Sequence, residues 1–224
     1  MIVTILCFLV IINTAATNGG EVAFVTNDDT VVIDVESAIV SNALADQSKT
    51  TVSVSGNGWE MTIPKDIVQQ AHGEVSVSAQ TLDDNAKAVL PDSVKARVEG
   101  KTVYSLNLSD SNGAISFVGK KVKVALPYEL PAGKSADSVK VYYINGESLE
   151  EFDATYDADR KVAVFETEHF SEWFVDAEDS PSGSGGSHVG LIVGIIVGVL
   201  LVAAVVTVVV LVKTGKIGGP KSAA

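Results

Sequence analysis

The sequence predicts a mainly β protein: an antiparallel β-sandwich with two short helices, followed by one C-terminal transmembrane helix. Three observations carry this. Apolar and polar residues alternate with period two through much of residues 30–175. Asn57-Gly58, Asn112-Gly113 and Asn145-Gly146 supply hairpin residues tolerant of positive φ. Residues 189–212 then form an uncharged run of 24 residues, VGLIVGIIVGVLLVAAVVTVVVLV.

The chain opens with an apolar stretch, residues 1–12, followed by Asn13-Thr14-Ala15-Ala16. A short apolar core before small residues reads as a secretory signal peptide, residues 1–16, cleaved after Ala16. Twelve apolar residues are too few to span a bilayer. The stretch departs from the usual signal in lacking Lys or Arg before its apolar core.

Residues 17–179 form the expected domain. Strands are expected at 30–35 (TVVIDV), 50–55 (TTVSVS), 59–63 (WEMTI), 74–81 (EVSVSAQT) and 102–108 (TVYSLNL). Others are expected at 121–126 (KVKVAL), 138–144 (SVKVYYI), 161–167 (KVAVFET) and 172–175 (EWFV). All are rich in Val, Ile, Thr and aromatics. Residues 37–46 carry Ile39, Val40, Ala43 and Leu44 at helical spacing. Residues 64–71 begin with Pro64, which suits a first helical turn, and place Ile67, Val68 and Ala71 on one stripe. Residues 83–92 are expected as a loop with at most one helical turn.

Residues 180–188 are Gly/Ser-rich and read as a stalk. At about 1.5 Å per residue, the run at 189–212 crosses a hydrocarbon core of about 30 Å. In lipid its backbone groups must be satisfied within the segment, which requires a helix. Lys213, Lys216 and Lys221 follow in a basic tail, residues 213–224, with no acid among them. An excess of Lys marks the cytoplasmic side. The expected topology is single-pass, with the N-terminal domain extracellular and the tail in the cytoplasm. A 12-residue tail is too short for a signalling domain.

All 28 acidic residues lie within residues 17–187, with 13 of the 16 basic ones, so this segment carries −15. That disfavours nucleic acid, which needs clustered Lys and Arg. Cys7, the only cysteine, lies in the signal. The mature domain would therefore have no disulfide, thiol chemistry or cysteine-held metal. About 160 residues can bury roughly 70% of their unfolded surface without such staples. The absence of cysteine points toward a prokaryotic surface protein. Asn107-Leu108-Ser109 is an N-glycosylation triplet.

Residues 119–175 contain Leu126-Pro127-Tyr128, Ala132-Gly133, Val141-Tyr142-Tyr143, Tyr156-Asp157 and the closing run Thr167-Glu168-His169-Phe170-Ser171-Glu172-Trp173. In this order they resemble the β-sandwich module of bacterial and archaeal S-layer-associated surface proteins. The likeness extends over residues 31–175, and the upstream TIPKDIVQQA also fits it. The resemblance implies an architectural surface module without catalytic residues of its own. The chain departs from larger relatives in having no cell-wall-binding repeats, so its transmembrane helix would be the anchor.

His169-Phe170-Ser171 also resembles the self-cleavage motif of autoproteolytic domains. Ser171 would be the nucleophile, His169 the base and Phe170–Ser171 the scissile bond. Against this stands a structural reading, in which Phe170 is core and His169 a hydrogen-bonded edge residue. Asp28-Asp29, Asp83-Asp84-Asn85 and Asp153, Asp157 and Asp159 are oxygen-rich enough for Ca²⁺. None fits EF-hand spacing, and such acids are common in turns; no cofactor or metal is expected. Trp59, Trp173, Phe174, Tyr142 and Tyr143 suit either a sugar-stacking platform or a core, and strand alternation favours the core. His72 and His188 are isolated. Gly190, Gly194 and Gly198 share one face of the span and suit helix pairing.

The expected role is a membrane-anchored structural or adhesion module that meets other envelope or surface proteins, with a homo-oligomer available through the span. The alternatives are a self-processing surface protein cleaved at Phe170–Ser171, or an accessory or sensor subunit pairing through the glycine face. No G-x-S-x-G, H-E-x-x-H or spaced carboxylate pair supports a hydrolase.

Overall fold

The computed structural model describes residues 9–11 and 20–178. The strands are β1 Leu9–Ile11, β2 Gly20–Val25, β3 Thr30–Asp34, β4 Lys49–Ser55, β5 Glu60–Pro64, β6 Glu74–Thr81 and β7 Val103–Asp110. They continue as β8 Gly113–Ala114, β9 Val122–Pro127, β10 Val139–Asn145, β11 Ser148–Asp153, β12 Thr155–Asp157, β13 Val162–Thr167 and β14 Glu172–Ala177. Helices are α1 Ala38–Ala45, α2 Lys65–Gln69, α3 Asp84–Ala88 and α4 Asp92–Val98.

These strands form two sheets. Sheet A has the order β1-β2-β4-β5-β9-β13-β12; sheet B has β11-β10-β14-β7-β6-β3, with β8 added beside β7. All pairings are antiparallel except β2 with β4, which is parallel. The wholly antiparallel expectation is corrected there. The reason is connectivity: β3 and α1 lie between β2 and β4 in sequence, and β3 belongs to the other sheet.

Alternation sorts each strand into a core face and an outer face. Val52 and Val54 of β4, Met61 and Ile63 of β5, and Val122, Val124 and Leu126 of β9 face inward from sheet A. Val75, Val77 and Ala79 of β6, Leu106 and Leu108 of β7, and Val139 and Val141 of β10 meet them from sheet B. Two sheets closing over one apolar layer is the sandwich solution to burying both faces.

The first two helices lie where expected. Ser37 caps α1, its Oγ accepting from Val40 N at 3.4 Å, and Val40 and Leu44 enter the core. Gln69 of α2 donates to Leu44 O at 2.6 Å, which ties the two helices together.

Residues 83–92 hold one short helix, α3, in keeping with the single turn allowed there, and α4 follows from Asp92, where no element was expected. Asp83 caps α3 by accepting from Ala86 N at 2.7 Å. Pro91 precedes α4, whose Val94 and Val98 lie one turn apart and are buried. They pack on Val103, Tyr142, Ile144 and Phe174, which lie on the outer face of sheet B. The expectation of two short helices is corrected to four, and the fold gains a third, helical layer over part of sheet B. Strands β1, β2, β8, β11 and β12 are also additional to those expected.

Candidate functional site

The tripeptide His169-Phe170-Ser171 lies in the connection from β13 in sheet A to β14 in sheet B. Local bonds fix its path. Thr167, almost fully buried, donates through Oγ1 to His169 O at 2.8 Å and accepts from His169 N at 3.2 Å. Ser171 O accepts from Leu106 N at 2.8 Å. Phe170 meets Phe117 edge to face, ring centroids 4.9 Å apart, and packs against the main core.

His169 belongs to an aromatic cluster. Its ring stacks on Trp173 at 5.4 Å and lies 4.4 Å from Tyr143 and 6.4 Å from Phe152. Burial lowers the imidazole pKa below its ordinary value, and Glu150 and Glu168 oppose the shift. The ring is therefore favoured in its neutral, proton-accepting form. The Ser171 hydroxyl, however, donates to its neighbour Glu172 Oε2 at 2.6 Å. No cis peptide occurs among the described residues, and positive φ outside glycine occurs only at Val118 and Lys161. The Phe170–Ser171 bond thus shows neither distortion. Phe170 is thus occupied in packing, and His169 bonds to Thr167 through its backbone while its ring stacks among aromatics rather than forming a hydrogen-bonded edge.

The acidic groups serve local structure. Asn57 Nδ2 donates to Asp29 at 3.1 Å, and Asp157 accepts from the backbone N–H groups of Asp159 and Arg160. Asp153 pairs with Lys140 at 2.7 Å, and Asp83 is the α3 cap. Among the described residues, no three His, Cys, Asp or Glu side chains converge as a metal group. The isolated His72 donates its backbone N–H to Asp110 Oδ2 at 3.0 Å.

The aromatic residues resolve in favour of the core. Trp59, Trp173, Phe174 and Tyr142 are at most 4% exposed, and Tyr143 stacks obliquely on Trp173 at 5.1 Å. They present no open stacking platform. Tyr142 lies against Phe174 with centroids 4.9 Å apart, and Arg97 sits 5.3 Å above its ring.

The sequence did not signal an open cleft of about 700 Å³. Lys101, Tyr104, Tyr128, Glu129, Lys161 and Asp176 are among its lining residues. Lys101 pairs with Asp176 at 3.2 Å and Lys161 with Glu129 at 2.9 Å. Tyr104 donates to Pro127 O at 2.8 Å, and burial raises its hydroxyl pKa to about 12. Its residues come from several separate turns and strand ends, which only the fold brings together.

Among the described residues, no helix is long and apolar enough to cross a membrane. Residues 189–212, with Gly190, Gly194 and Gly198, lie outside the described residues, as do His188, the stalk and the tail. So does most of the expected signal; its Leu9–Ile11 forms β1, paired antiparallel with Ala23–Val25 of β2. In comparisons with known proteins, no family model and no curated sequence matches this chain.

Proposed function

We propose that this chain is a membrane-anchored cell-surface module of structural or adhesive role. It presents an acidic β-sandwich outside the cell on a Gly/Ser-rich stalk. The observation that carries the reading is the order of parts. A two-sheet domain ends at β14, a Gly/Ser-rich segment follows, and then come 24 uncharged residues and a lysine-bearing end. The resemblance of residues 119–175 to S-layer-associated modules supports an envelope role, with other surface proteins as partners.

The geometry around His169, Phe170 and Ser171 favours this over self-processing, because the Ser171 hydroxyl is directed to Glu172. The −15 charge of residues 17–187 suits a solvated exterior or a basic partner.

The test is membrane retention. The full chain should stay with membranes through an alkaline carbonate wash, and a chain ending at Ser187 should be released into the medium. Release of the full chain by the wash would overturn the anchor. Retention of the truncated form would move the anchor elsewhere.

A further inference from the structure

The outer face of sheet B has two parts. One, formed by Val103, Tyr142, Ile144 and Phe174, lies under α4. The other is formed by β3, β6 and β7, where Thr30, Ser76, Gln80, Ser105, Asn107 and Ser109 face away from the core. Their sequence neighbours Val31, Val75, Val77, Ala79, Leu106 and Leu108 all belong to that core. None of these six carries a charge, and the charged pair Asp34 and Glu74 lies at one end of the same face.

Asn107-Leu108-Ser109 lies on this second part as an acceptor triplet. The pleat makes it usable. Leu106 and Leu108 are 4% and 3% exposed, whereas Asn107 is only partly buried on the opposite face. Its cross-strand partner is the small Ser78 of β6. A hydrated substituent at Asn107 therefore lies over short polar side chains and displaces no core residue. Had the register slipped by one, the triplet would point inward and exclude any sugar.

Asn107 Nδ2 donates to Ser109 Oγ at 2.9 Å. An amide nitrogen has two N–H bonds. This contact uses one, and a glycosyl group replaces the other, so the substituted amide can keep its bond to Ser109.

We propose that Asn107 is an N-glycosylation site whose oligosaccharide covers the part of sheet B that α4 leaves bare. The inference rests on the reading that the domain is exported. The donor is a polyprenyl-phosphate-linked oligosaccharide. Nδ2 attacks the anomeric carbon, the C–N bond forms and the C–O bond to phosphate breaks. The lipid phosphate leaves with the electron pair, and the amide gives up one proton.

The experiment is mass spectrometry of the full chain purified from native membranes, alongside Asn107→Gln and Ser109→Ala. Protease accessibility of the domain is measured on the same intact cells. The wild-type peptide containing Asn107 should carry one oligosaccharide. The added mass should vanish in both variants, including Ser109→Ala, which keeps the acceptor amide. An Asn107 peptide at its unmodified mass overturns the proposal. The protease readout then separates the causes: a cleaved domain leaves the export reading standing, and a protected domain removes it as well.

Discussion

Trp173 is the side chain on which the packing account can be tested most sharply. It is fully buried between the sheets, with Phe152 and Phe165 at 5.0 Å, Tyr143 at 5.1 Å and His169 at 5.4 Å. Its indole N–H is buried without a hydrogen-bond partner. Two substitutions separate these features. Trp173→Ala removes the whole ring system and should destabilise by about 3–5 kcal/mol, as for large aromatic truncations generally. Trp173→Phe removes only roughly 40 Å³, and at about 24 cal/mol per Å³ the cavity term is near 1 kcal/mol. Against it, the change removes a buried unpaired donor, whose desolvation costs about 1–3 kcal/mol. The two effects nearly offset, so Trp173→Phe should lie within about 1 kcal/mol of wild type. Urea unfolding of residues 17–180, followed by far-ultraviolet circular dichroism, reads both. A loss above about 3 kcal/mol for Trp173→Phe would refute the reasoning, since it would mean the N–H makes a valuable bond.

Three further predictions follow from single sites. A Cβ at Gly56 would stand 2.4 Å from Asp28 O and 2.5 Å from the Trp59 ring, so Gly56→Ala should destabilise by about 1–3 kcal/mol in the same unfolding assay. His169 has its pKa lowered by burial from the ordinary 6.5. The unfolded chain therefore binds the proton more readily. Stability from this group is full above pH 6.5 and lost as pH falls below it, towards the folded value. His169→Gln should flatten the stability profile between about pH 7 and 5, and an unchanged slope there would contradict the assignment. The depressed carboxyls of Asp66, held chiefly by Lys120, and Asp153, held chiefly by Lys140, act lower, below 3.8. At the alkaline end, Tyr104 is held protonated to about 12, so stability should fall as pH rises from about 10 through that value. Tyr104→Phe should lose about 1 kcal/mol at neutral pH by leaving Pro127 O without its 2.8 Å donor.

The parts of the fold that were legible in sequence share one property: a local pattern and the final burial agree. TTVSVS and KVKVAL alternate because one face is core and the other solvent, and β4 and β9 form there. Asn145-Gly146 marked a turn because Gly146, at φ +59°, takes a conformation that L side chains disfavour. Helix α4 was not legible, and α3 was legible only as a turn within a loop. Pro91 divides them into segments too short for a repeating stripe, and the face that buries Val94 and Val98 is assembled from Val103 and from Tyr142, Ile144 and Phe174, the last three distant in sequence. Strand β11, SLEEFD, has a weak pattern of its own and is fixed by six consecutive pairings to β10. The parallel placement of β2 depends on β3 entering the other sheet, which no window of residues reveals.

The candidate site divides in the same way. His169, Phe170 and Ser171 were visible as a motif. Their setting depends on Thr167, Glu172 and Trp173 folding back on them, and on Phe117 arriving from more than fifty residues away. The cleft beside Tyr104 and Tyr128 had no signal at all. Its two ion pairs, Lys101 with Asp176 and Lys161 with Glu129, join residues 75 and 32 positions apart.

The central claim is the topology: domain outside, one span, tail inside. Cys7 is the only cysteine, and removal of the signal would leave a cysteine-free background. Single cysteines at Ser182 and Ser222 would then report on each side of residues 189–212. Intact cells are treated with a membrane-impermeant maleimide, and then permeabilised cells are treated the same way. The account predicts labelling of Ser182→Cys in intact cells, labelling of Ser222→Cys only after permeabilisation, and none of the wild-type chain. Equal labelling of both positions in intact cells, or of neither, would contradict it.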